Sequence, residues 1–165
     1  MSQAKKVFTR MCLNNWGGID HKVLEFHEYV NLFSGKSGSG KSTVMDAIQV
    51  ILYGSFSPSF LNKAADDAKN RRSVLSYLRG EQKDGSANRK DCDFCSVIAL
   101  EIEDTGTHII TCIGIAFEVR KSDSEIKKFV YFSHSGKMPT SGYLTEQGVC
   151  YSNQEIKKLI SSRAK

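Results

Sequence analysis

The segment Gly35-Lys36-Ser37-Gly38-Ser39-Gly40-Lys41-Ser42 constrains this chain more than any other feature. It satisfies the pattern G-x-x-x-x-G-K-[ST] in full. A short apolar stretch, 29–33, precedes it, and a run with helical recurrence of apolar residues, 41–53, follows it. A strand–loop–helix unit of this kind turns backbone N–H groups inward around an anion, and glycines accept the bends. The helix that begins at the loop adds its own unpaired N–H groups and its dipole. Lys41 supplies a point charge for the β- and γ-phosphates, and the Ser42 hydroxyl a ligand for the Mg²⁺ that bridges them. The pattern therefore predicts an α/β fold of the P-loop NTPase type with a site for ATP and Mg²⁺. That site comprises Gly35, Lys36, Ser37, Gly38, Ser39, Gly40, Lys41, Ser42 and Thr43, with Ser42 the metal ligand.

Periodicity places the other elements around this loop. Residues 7–13 read as a strand, 14–18 as a polar turn and 21–26 as the returning strand of a hairpin. The stretch 29–33 reads as the strand that delivers the loop. Val44, Met45, Ala47, Ile48, Val50, Ile51 and Leu52 cover most of the surface of the helix 41–53, which predicts burial between two layers, with Gly54 as its stop. Residues 66–79 read as a second helix with Val74, Leu75 and Leu78 on one face. The region 80–93 is polar, aperiodic and expected to be mobile. The period then changes to two. Ile98, Leu100 and Ile102 alternate with Ala99, Glu101 and Glu103, and Asp104-Thr105-Gly106 is a turn. Ile109, Thr111, Ile113, Ile115, Phe117 and Val119 share one face of the next strand, and 129–132 is a third, giving an antiparallel meander. Ser133-His134-Ser135-Gly136 reads as a hairpin turn. Ser152 and Glu155 form a capping box ahead of a helix with Ile156, Leu159 and Ile160 inward.

Bulk properties narrow the function classes. The 165 residues, 40% hydrophobic and 25% charged, suit one globular domain. No apolar run approaches the roughly 18–20 residues that span a bilayer, and no apolar stretch follows the basic N-terminus, so a cytoplasmic location is expected. The net charge of +5 is compatible with a nucleic-acid partner without requiring one. The cysteines are five, Cys12, Cys92, Cys95, Cys112 and Cys150, an odd number that argues for reduced thiols. Cys92 and Cys95 have C-x-x-C spacing but lack the second pair a structural zinc needs, and read as ordinary thiols.

Hydrolysis by a P-loop ATPase needs an acidic Mg²⁺ ligand at the end of a second apolar strand. The nearest approach, Val97-Ile98-Ala99-Leu100-Glu101-Ile102-Glu103-Asp104, alternates its carboxylates with apolar residues, so Glu101 and Glu103 read as an exposed strand face. No catalytic residue is assigned, and the chain by itself is expected to be inactive. Asn62-Lys63 lacks the following Asp of a guanine-recognition motif.

With loop, helix and meander placed, the chain resembles the N-terminal half of an SMC-type ATPase head, with an N-terminal β-hairpin and an antiparallel β-meander beside the core sheet. The resemblance rests on Asn15-Trp16-Gly17, on Ser39-Gly40-Lys41-Ser42-Thr43 with Asp46-Ala47-Ile48, and on Asn62-Lys63-Ala64-Ala65 leading into Arg72-Ser73-Val74-Leu75-Ser76-Tyr77-Leu78. Within that group it is most similar to the JetC-like ATPases of bacterial Wadjet anti-plasmid systems, relatives of the MukB condensin. The resemblance covers roughly residues 7–80 and implies that residues 1–165 form one half of a split head. The C-terminal half and the coiled coil lie outside this chain. It further implies a homodimer sandwiching two ATP molecules, a kleisin-type subunit, an accessory nuclease subunit and DNA as partners. ATPase activity would belong to the full-length dimerised protein. By the same resemblance Arg10 and Trp16 approach the nucleotide, and Arg71, Arg72, Arg79, Arg89 and Lys90 face DNA. A magnesium-contacting glutamine is expected, although Gln82, Gln147 and Gln154 all fall outside clear meander strands. A small-molecule P-loop kinase and a non-hydrolysing nucleotide-binding regulatory module are the alternatives. Against the kinase stands the antiparallel meander in place of a βαβ series.

Overall fold

Alternation at period two carries the chain into five strands, described in a computed structural model for residues 3–36, 39–58, 61, 73–82 and 84–164. Strand β1 (Lys6–Trp16) turns through Gly17-Gly18 into β2 (Ile19–Glu25), and β3 (Phe94–Asp104), β4 (Ile110–Val119) and β5 (Lys128–Ser135) form the meander. Hairpin and meander join as one antiparallel sheet in the order β2-β1-β3-β4-β5, with Leu13 opposite Ile98 and Leu100 opposite Ile113. Three helices accompany it among the described residues: α1 (Lys41–Tyr53), α2 (Val74–Arg79) and α3 (Asn153–Arg163). None of the described helices is long and apolar enough to cross a membrane.

Because side chains alternate across a strand, the sheet carries two apolar faces. Met11, Leu13, Ile98, Leu100, Ile115 and Phe117 point toward α1 and α2, meeting Val44, Ala47, Val50, Tyr77 and Leu78. Cys12, Val97, Ala99, Cys112, Ala116 and Phe132 point the other way, against Met138, Tyr143, Cys150 and Ile156. Burying each such aliphatic side chain stabilises the fold by about 1.5–3 kcal/mol. Helix α3 starts on the expected capping box, Ser152 and Glu155.

Several expectations change. The stretch 29–33 is not a strand: Asn31 hydrogen-bonds both ways with the backbone of His27, and no strand pairs with the segment among the described residues. Helix α1 has the expected bounds, with Gly54 left-handed at its C-cap, yet only one side of it is buried. Met45, Leu52 and Tyr53 remain exposed because no second layer lies over them among the described residues. Helix α2 begins at Val74, since Ser73 is extended and caps it from its hydroxyl; the preceding residues 66–72 lie outside the described residues. Among the described residues of 80–93, Gln82 N–H donates to Ser86 O at 2.7 Å and Arg89 N–H to Arg79 O at 3.0 Å, contacts that the aperiodic sequence does not suggest. Ser133, His134 and Ser135 belong to β5 rather than to a turn, which follows at Gly136.

Glu101 is the largest departure. It is 2% exposed rather than part of a solvated face, because the chain after Gly136 folds back over its side of β3. There the carboxylate accepts from Thr9 Oγ1 at 2.8 Å, Arg10 Nε at 3.0 Å, Arg10 Nη2 at 2.9 Å and Met138 N–H at 2.6 Å. Burial alone raises its pKa, but these bonds outweigh burial and hold it below the usual carboxylate value.

Candidate functional site

The phosphate-loop sequence ends where α1 begins. Gly40 sits at the N-cap with φ 91°, a left-handed backbone that glycine adopts without strain. A Cβ at Gly35 would stand 2.5 Å from Ser39 Oγ, so a side chain there would have to displace Ser39. No side chain caps α1 and its first turn holds no acidic residue, which leaves that helix end suited to an anion. Lys41 turns back over the loop, its Nζ donating to Gly35 O at 2.5 Å, Lys36 O at 3.0 Å and Ser39 Oγ at 3.3 Å. Ser42 is exposed at the start of the helix, and Thr43 is buried behind it. Ser37 and Gly38 lie outside the described residues. The donors around this loop therefore fit phosphate, and the exposed Ser42 hydroxyl can reach a phosphate-bound Mg²⁺.

The hairpin tip holds this helix end in place. Asn15 takes a left-handed backbone, φ 53°, and beyond it Trp16 joins the α1 side of the sheet. Its Nε1 donates to Thr43 O at 2.9 Å, and its ring stacks on Tyr77 with centroids 4.9 Å apart and planes 7° apart. The Tyr77 hydroxyl donates to the buried Asp46 carboxylate one turn further along α1. Gly17 N–H donates to Tyr77 O at 2.8 Å. Arg89 closes the tip by donating to Leu78 O, to Asp20 Oδ1 and to Gly17 O.

This geometry relocates several residues expected near ligands. Trp16 is fully buried and packs behind the loop rather than meeting a nucleotide. Arg10 is tied to Glu101 on the opposite side of the sheet from α1. Arg89 is buried in the hairpin tip, and Arg79 donates to the carbonyls of Lys121 and Asp123. Lys90 is exposed, and Arg71 and Arg72 lie outside the described residues, as do Asn62 and Lys63. Cys92 is exposed and Cys95 half-buried, and burial pushes the Cys95 thiol up to about 11. Among the described residues no group of three His, Cys, Asp or Glu side chains could hold a metal. No sign of the clamp on α1 as a unit is visible in the sequence, although Trp16, Thr43, Asp46 and Tyr77 all stand in the runs that carry the resemblance.

Residues 8–68 match the family described as the P-loop containing region of AAA domain. This stretch is a P-loop region. The chain is also 39% identical over 74 residues to the SbcC component of the nuclease SbcCD from Staphylococcus haemolyticus (strain JCSC1435), an alignment covering 42% of this chain and 6% of that protein. The chain thus spans a small part of the length of the curated relative it matches. Both matches support a P-loop ATPase region of the SMC-like type.

Proposed function

We propose that this chain is the ATP-binding half of an SMC-like ATPase head that translocates or loop-extrudes DNA, acting in a bacterial cell against plasmid DNA. The observation that carries the reading is the complete loop, Gly35 to Ser42, entering an uncapped, acid-free helix N-terminus. In it Gly35, Lys36, Ser37, Gly38, Ser39 and Gly40 wrap the phosphates, Lys41 turns its ammonium from the loop carbonyls to the β- and γ-phosphates, and Ser42 binds Mg²⁺. Thr43 completes the site from the first turn. When bound, Mg²⁺ would neutralise phosphate charge.

The exposed apolar groups on either side of the loop support a missing second half. Among the described residues Val30 and Leu32 before it, and Met45 and Leu52 on the outer side of α1, are exposed apolar side chains of the kind a C-terminal half of the same head would cover. That half would bring the acidic strand, since Glu101 is already engaged by Arg10 and Met138. A homodimer closing over two ATP molecules, a coiled coil, a kleisin-type subunit and DNA complete the assembly. A nuclease partner is supported by the name of the matched relative.

Calorimetry on Lys41→Ala tests the site. Losing a charge-assisted contact worth about 1.5–3 kcal/mol should raise the Kd for Mg²⁺-ATP by about 10- to 100-fold. Unchanged affinity would sink the assignment. The purified chain should also release no phosphate from ATP; turnover abolished by Lys41→Ala would refute the split-head reading while keeping the loop.

A further inference from the structure

We propose that Trp16 and Tyr77 form a positioning pair that sets the start of α1 for Mg²⁺-bound phosphate. This inference rests on the nucleotide reading of the loop and adds residues to it that touch no ligand.

The two rings stack with planes 7° apart, and each donates one hydrogen bond to α1. Trp16 Nε1 reaches Thr43 O, the carbonyl of the residue next to the Mg²⁺ ligand Ser42. The Tyr77 hydroxyl reaches the Asp46 carboxylate, one turn later on the buried side. Two bonds about a turn apart fix both the axial position and the rotation of the helix, where a single bond would leave rotation free. The pair is itself fixed. Gly17 lies so close to Thr43 that a Cβ on it would stand 2.6 Å from the threonine methyl. Gly17 N–H is bonded to Tyr77 O, and Arg89, 7% exposed, bridges Gly17 O and Leu78 O. A shift in this cluster therefore moves Ser42, whereas the glycine-rich turn N-terminal to Lys41 has no bond to it among the described contacts. The pair should govern the metal-dependent part of binding and leave the loop's own grip on phosphate largely intact.

The test compares the Kd for ATP with Mg²⁺ and with EDTA, in the whole chain, by calorimetry. Tyr77→Phe and Trp16→Phe keep an aromatic stack and lose one donor each. Each should raise the Mg²⁺-ATP Kd by about 3- to 10-fold and the metal-free Kd by less than about 2-fold. Asp46→Asn keeps an acceptor for the Tyr77 hydroxyl and should leave the ratio of the two Kd values as in the unmutated chain, whereas Asp46→Ala should shift it as Tyr77→Phe does. Trp16 is the only tryptophan, so its emission gives a readout on the unmutated chain: it should change with Mg²⁺-ATP, and in Lys41→Ala only at a correspondingly higher ATP concentration. Equal changes in both Kd values would mean a merely structural role and would overturn the proposal. So would an emission spectrum that stays constant while calorimetry shows Mg²⁺-ATP bound. Failure of the unmutated chain to bind ATP at all would instead remove the nucleotide reading, and this inference with it.

Discussion

On the α3 side of the sheet, the apolar residues of β1, β3, β4 and β5 are covered by Met138, Tyr143, Cys150 and α3, and the cover is tied down by polar contacts. His134 Nδ1 lies 2.9 Å from Arg163 Nη1 and 3.1 Å from Ser135 O, and its Nε2 pairs with Tyr143 Oη at 2.9 Å. Glu101 fastens Met138 to the sheet from the same side. On the α1 side the inner face is equally dry, yet the covering helix shows solvent Met45, Leu52 and Tyr53. One layer ends in salt bridges and caps, and the other in apolar side chains. Among the described residues, then, the α3 side is covered and finished by polar ties, whereas the α1 side, which carries the phosphate loop, is left unfinished, with exposed apolar side chains on its helix.

The sharpest way to break this comparison is to overfill the finished side. A Cβ at Gly114 would stand 2.6 Å from Ile98 O and 2.6 Å from Phe132 Cζ, and neither the strand backbone nor the ring beneath it can withdraw far. Gly114→Val should cost about 3 kcal/mol or more in denaturant unfolding of the purified chain. A loss under about 1 kcal/mol would mean that this face is looser than its contacts suggest.

Acid should open the same side first. Burial, with Arg163 adding to it, lowers the pKa of His134 from its ordinary 6.5, and Glu101 lies below its ordinary 4.5. For both, the unfolded chain binds protons at a higher pH than the folded one, so stability falls as pH falls. The His134 contribution is fully present above about pH 6.5 and is lost as pH drops toward its folded value; that of Glu101 follows below about pH 4.5. His134→Gln should remove the first stage alone, read as stability against pH. A flat profile from pH 7 to 5 in the unmutated chain would contradict the buried His134–Arg163 contact.

What the sequence made legible follows from how local each signal is. Helix α1 was readable to the residue because Gly40 and Gly54 both need left-handed backbone and bracket a helical apolar run. The capping box of α3 and the alternation of β3 and β4 are equally local. The apparent strand 29–33 failed because a strand exists only with a partner, and its alternating Val30 and Leu32 meet none among the described residues. Glu101 was misplaced because period two tells which residues share a face and not whether that face is covered; the cover comes from 136–151, far along the chain. His134 was lost to a Gly136 turn signal that marks the residue after the strand. In the candidate site, the loop was legible as a motif. Its clamp was not, since Trp16 meets Thr43 and Tyr77 meets Asp46 at separations of 27 and 31 residues.

The smallest expected effect sharpens the comparison from the unfinished side. Leu52 is 49% exposed on the outer face of α1, so Leu52→Ser removes little burial in this chain and should change its stability by no more than about 0.5 kcal/mol. The helix-propensity difference between the two residues is itself only a few tenths of a kcal/mol. The same change should weaken any assembly that covers the face, because there the leucine would be buried, at about 1.5–3 kcal/mol for a side chain of this size. Equilibrium unfolding of the purified chain and co-purification with a separately expressed C-terminal half would read the two quantities apart. A stability loss above about 2 kcal/mol in the purified chain would mean that Leu52 is already covered by residues of this chain, and the apolar surface would then be a second core rather than a docking face.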